Sequence, residues 1–266
     1  LLFPVAALAL PLTLSACGGR PATGEYAGLV TVVRSNANGQ IGFSATAMWL
    51  KTPFRYDADA ILRADGHCVP IDPAAERLST VTLDAGNYLG LTVPGGSSMN
   101  MDPLTSDIRL YGAAGSPDLF VPDAEYSISG VGGKDVGAFD LKVETSGDMR
   151  LLSPPVDGTA TISHAAGVEL HWTSAGTKDP VLFEIDQTSM TTGATVSGVR
   201  CSLPDSGLAT IAPADIASLA LSSSSPQLVT RFSLTKVALS EESIAGAGLT
   251  LIQSASRAEG MISVVE

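Results

Sequence analysis

The sequence predicts an all-β chain built as two tandem antiparallel β-sandwich domains, and three features of it do so. Apolar residues alternate with polar ones over run after run, short turn sequences separate the runs, and only two brief segments carry a helical pattern. Successive side chains of a strand point to opposite faces, so period two marks a sheet with one buried face.

In chain order, Tyr26, Gly28, Val30 and Val32 alternate with Ala27, Leu29, Thr31 and Val33. Ile41, Phe43, Ala45, Ala47 and Trp49 hold every second place across GQIGFSATAMWL. Asn38-Gly39 between these runs predicts a hairpin, because a type I′ turn wants positive φ at both positions. Val168, Leu170 and Trp172 repeat the pattern in VELHWTS, as do Val181, Phe183 and Ile185 in PVLFEID, and the SAGTKDP turn between them would pair the two strands. Residues 228–237, residues 249–252 and MISVV supply further strands. Trp49 and Trp172 fall on apolar sides and read as core.

Pro213–Leu219 places Pro in a first turn and Asp215 near the amino end, which predicts a short helix linking two strands. Asp72–Arg77 predicts a single helical turn. The double proline of Ser153-Pro154-Pro155 cannot continue a central strand, so it predicts a boundary between a first domain at 24–152 and a second at 156–266.

Residues 1–14, LLFPVAALALPLTL, are uncharged and fall short of the ~20 apolar residues that span a membrane. They have the character of a signal-peptide core, incomplete at its start, within a signal peptide at 1–16. Leu14-Ser15-Ala16-Cys17 follows and resembles the lipobox of bacterial lipoproteins. The resemblance implies that Cys17 becomes the first mature residue and carries acyl chains, each buried methylene adding about 0.8 kcal/mol of membrane affinity. Gly18 in place of an acidic residue resembles lipoproteins sorted to the outer membrane, with 17–24 as a short tether. The later segments HWTSAG, PVLFEID, VRCSLPDSG and LVTRFSL resemble immunoglobulin-like domains of uncharacterised bacterial envelope lipoproteins, a family to which no activity attaches.

Loss of residues 1–16 would leave 250 of the 266 residues, enough for two domains, with the net charge of −12 intact. An acidic surface repels phosphate, which disfavours nucleic acid as a partner. With Cys17 acylated, Cys68 and Cys201 remain. They fall in what read as separate domains, so the sequence favours two free thiols over a disulfide.

No catalytic signature stands out. His67 is adjacent to Cys68, but neighbours in an extended chain point apart; His164 reads as a turn residue. His171 shares the polar face of its strand with Glu169, and pairing across SAGTKDP would bring Glu184 and Asp186 beside them, plausible metal-ligand company. A solvated outer sheet face accounts for the same four residues, so no metal is assigned. Asp57 and Asp59, with Asp65 or Asp72, lack the spacing of a Ca²⁺ loop because Ile61 stands where an oxygen ligand belongs. There is no G-x-S-x-G elbow, and GVGGKD lacks Walker spacing. Tyr56, Tyr88 and Tyr111 are the stacking candidates. The reading is therefore a lipid-anchored, non-catalytic interaction or structural protein of the cell envelope. It requires no cofactor, is held to the outer membrane by acyl chains on Cys17, and faces a protein or polysaccharide ligand. The alternative is a carbohydrate-binding protein, Ca²⁺-dependent or not, or an envelope hydrolase.

Overall fold

β1 (Glu25–Ala37) and β2 (Gln40–Arg55) form a long hairpin whose turn has positive φ at Asn38, 49°, and at Gly39, 79°. The Asn-Gly pair thus supplies the type I′ geometry expected of it. The computed structural model describes residues 25–55, 61–71, 81–104, 109–174, 176–177 and 179–266. Cys17, the signal segment, Tyr56, Asp57, Asp59 and the Asp72–Arg77 turn lie outside the described residues.

The remaining strands are β3 (Cys68–Pro70), β4 (Leu89–Thr92), β5 (Ser98–Pro103), β6 (Tyr111–Gly115), β7 (Glu125–Gly130), β8 (Phe139–Glu144), β9 (Leu151–Ser153) and β10 (Thr159–Ser163). They continue with β11 (Val168–Trp172), β12 (Val181–Ser189), β13 (Thr195–Leu203), β14 (Leu208–Ile211), β15 (Leu228–Ile244) and β16 (Gly248–Val265). The expected short helix forms at Pro213–Ile216 between β14 and β15.

One large sheet runs in the order β3-β13-β12-β15-β16-β1-β2-β6-β5-β4-β7-β8, and a three-stranded sheet in the order β14-β11-β9. Its pairings are antiparallel except along β16, which takes β1 over Thr250–Glu259 and then β10 over Met261–Val265 in parallel. The chain is all β, organised as two sandwiches.

Through β5 the large sheet turns back over itself, so β4, β7 and β8 close on β1 and β2 around a first core that includes Trp49, Leu91, Tyr126 and Val143. The three-stranded sheet closes on β12, β13, β15 and β16 around a second core that includes Trp172, Phe183, Leu234 and Ile262. Both lie on one face of the β15–β16 hairpin: Ile244 and Ile252 reach the first, Phe232 and Ala258 the second. The opposite face carries a third cluster of Leu29, Leu50, Leu182, Val237 and Leu251, covered in part by Ile61 from the segment after β2.

Two sequence expectations are corrected. β11 pairs with β14 and β9, not with β12, which pairs with β13 and β15. SAGTKDP is therefore a crossover from one layer of the sandwich to the other rather than a hairpin. Cys68 and Cys201 are disulfide-bonded, not free. The short β3 leaves the first half and pairs with β13, putting Cys68 directly opposite Cys201 with a Cα–Cα separation of 4.0 Å. Assigning the thiols to separate domains had hidden this pairing.

Candidate functional site

The two cores do not merge. Between them on the shared face of β15 and β16 runs a polar seam, made by Lys236, Ser254 and Ser256, which occupy inward positions where alternation calls for apolar side chains. The linker from Thr145 to Arg150 crosses the sheet here. Buried backbone needs partners, and the serines supply them. Ser146 N–H donates to Ser254 Oγ at 2.7 Å, and Met149 N–H donates to Ser256 Oγ at 3.2 Å.

Deeper in the seam, Lys236 Nζ donates to Asp205 Oδ2 at 2.8 Å, and neither side chain has any exposure. Trp172 Nε1–H donates to the other oxygen, Asp205 Oδ1, also at 2.8 Å. Burial pushes the Asp205 carboxyl upward, but the hydrogen bonds from Lys236 and Trp172 and the lysine's charge outweigh it and hold the group below the ordinary carboxylate value. Asp179 goes the other way. Burial raises it, the charges of Asp123 and Asp205 add to the rise, and Lys236 with the Thr177 hydroxyl only partly offsets them.

At the seam's outer end Arg34 Nη1 pairs with Asp148 Oδ1 at 2.7 Å. Both line an open groove of about 400 Å³ with Ile41, Pro117, Phe120 and Pro122. The groove joins the β1–β2 hairpin, the 117–122 loop and the linker, and sets the carboxylate of Asp118 and the Arg34–Asp148 ion pair among its apolar side chains.

The four residues weighed as metal ligands divide into two pairs. Glu169 Oε1 and His171 Nε2 lie 2.6 Å apart on the outer face of the three-stranded sheet. Glu184 and Asp186 point away from the same core on the large sheet, where Glu184 pairs with Arg200 and Thr188 Oγ1 donates to Asp186 at 2.9 Å. The second core separates the pairs. Among the described residues no three His, Cys, Asp or Glu side chains gather into a metal-binding group. Asp65 serves its own turn, accepting from His67 N–H at 3.0 Å.

Tyr111, weighed above as a stacking candidate, is not at the surface. It is fully buried, its hydroxyl donating to Gly86 O at 2.8 Å and accepting from Ala85 N–H at 3.0 Å. Tyr88 is 48 % exposed. The sequence reading passed over Lys236 and Asp205. A signal was there: in LVTRFSLTKV the lysine falls on the face of Phe232 and Leu234, where a lone charge demands a partner.

No family model matches the chain, and no curated protein does. Among solved structures, a Ca²⁺-stabilised adhesin by which an Antarctic bacterium binds ice shows 12% identity and a TM-score of 0.23, covering 91% of this chain and 50% of its own. The first three fibronectin domains of chicken CNTN1 show 9% identity and a TM-score of 0.25, covering 86% of this chain and 67% of theirs. A Salmonella alpha-2-macroglobulin shows 11% identity and a TM-score of 0.22, covering 96% of this chain and 16% of its own. The chain thus spans half the length of the adhesin and far less of the macroglobulin. Likeness at this level carries no argument about ligand or activity, and the fold rests on the sheet topology itself.

Proposed function

We propose that this chain is an envelope interaction or structural module, lipid-anchored through Cys17 in the outer membrane of a two-membrane bacterium. It would present the groove between Arg34 and Phe120 to a protein or polysaccharide partner. The observation that carries the reading is the Cys68–Cys201 bond, since a structural disulfide persists where the compartment is oxidising and is rare where thiols are kept reduced. An exported chain needs an address, and Leu14-Ser15-Ala16-Cys17 supplies one that also tethers. A sheet continuous through both cores suits a spacer that must hold its shape while fixed at one end.

Metabolic labelling with a palmitate analogue, followed by membrane fractionation, tests the proposal. The wild type should take the label and sediment with membranes, while Cys17→Ser should do neither. Equal labelling of the two proteins would refute the anchor.

A further inference from the structure

We propose that Lys236 and Asp205 are joined by a side-chain amide, an intramolecular cross-link made by the folded protein itself. Nζ and Oδ2 stand 2.8 Å apart with both side chains wholly shielded from solvent. No other cation–carboxylate pair among the described residues combines contact with complete burial of both partners.

The surroundings fit condensation as well as pairing. Removing an ammonium and a carboxylate from water costs several kcal/mol for each ion, so the ion pair that holds Asp205 below its ordinary value still carries a burial cost that a neutral amide would not; a proton passed from Nζ to the carboxyl sets an amine against an acid on the way to it. The amine is then a nucleophile held against a single electrophile, the proximity that turns a slow bimolecular step into an internal one. Trp172 Nε1–H already holds Oδ1, the oxygen on which negative charge develops when Nζ attacks Cγ. The Nζ–Cγ bond forms and the Cγ–Oδ2 bond breaks. Of the three ammonium protons one stays on the amide and two leave with Oδ2 as water, so atoms and charge balance without an oxidant or a cofactor.

The location gives the bond a use. Lys236 sits on β15 in the large sheet, while Asp205 lies in the turn from β13 to β14, where the chain crosses to the three-stranded sheet. An amide there would fasten the two layers of the second sandwich to each other. The disulfide fastens β3 to β13 within one layer, so the two links do not duplicate each other. This inference is independent of the lipid anchor.

Peptide mapping of the purified full-length protein, denatured, reduced and digested, tests it without regard to what Cys17 carries. The expected product is one branched peptide uniting the Asp205 and Lys236 segments, lighter by one water than the two separately. Recovery of both segments as linear peptides of full mass overturns the proposal and leaves an ion pair. Lys236→Met should abolish the branch, and a water loss on the Asp205 peptide that survives this substitution equally overturns it. Should that variant fail to fold, the wild-type peptide alone decides.

Discussion

The first core is held by large aromatic side chains, the second by ties between strands. Around Trp49 stand Tyr111 and Phe139, with ring centroids 6.3 and 5.0 Å away, while Phe43 stacks on Tyr126 at 6.3 Å. Such contacts add to the burial of 150–250 Å² that each aromatic brings. The second core's large sheet bears the disulfide, the shielded Lys236–Asp205 pair and the buried Arg200–Glu184 pair. The difference follows from closure. The first core is wrapped by one sheet folded back through β5, so backbone pairing surrounds much of it. The second lies between two separate sheets, and β3, only three residues long, must be kept on its edge. Packing suffices where the sheet closes itself; links are needed where it does not.

The comparison breaks first at the disulfide. Cys68→Ser with Cys201→Ser opens a loop of 133 residues and should cost about 2–5 kcal/mol, read as a lower denaturant midpoint. Hydrogen exchange should rise at β3 and β13 while β7 and β8 stay protected. Uniform loss of protection would mean that the two halves do not differ in this way.

A smaller effect is expected at Gly28, opposite Trp49 in the β1–β2 ladder beside a β-bulge. A Cβ there would come within 2.5 Å of the indole and of Thr250 Oγ1, which accepts the indole N–H at 3.1 Å. Gly28→Ala should therefore destabilise by about 1–3 kcal/mol through overpacking, with a change in tryptophan fluorescence. An unchanged midpoint would show that the first core yields where the packing says it cannot.

The smallest effect sharpens the contrast through pH. Asp186 is raised above 3.8, mainly by burial, with Glu184 adding and Thr188, Arg231 and Arg257 opposing. Between 3.8 and its folded value the native state binds more protons than the unfolded one. Its contribution is thus fully present below 3.8 and lost as pH rises through the folded value. Asp186→Asn keeps the oxygen that accepts from Thr188 but cannot charge. It should be more stable than the wild type at neutral pH and indistinguishable in acid, as measured by thermal unfolding across pH. A gain that persists in acid would assign the effect to something other than charging.

What could be read in advance was local. Asn38-Gly39 fixed a hairpin, alternation placed both tryptophans in cores, and Pro213 marked the start of a helix, because each signal lies within a few residues of its consequence. Apart from Tyr111, which is buried, the misreadings were long-range. Strands adjacent in sequence pair about two-thirds of the time, which made β11 beside β12 the natural expectation. Nothing within SAGTKDP distinguishes a hairpin from a crossover. Cys68 meets Cys201 only because β3 leaves its own half of the chain, and no periodicity reports that. Lys236 lies between these cases: its inward register was visible, its partner was not.

β16 is shared by both cores. Residues 248–265 supply Ile252 to one core and Ile262 to the other, and their backbone pairs with β1, β10 and β15. Without this stretch both interiors would be incomplete and β1 would keep only β2 beside it.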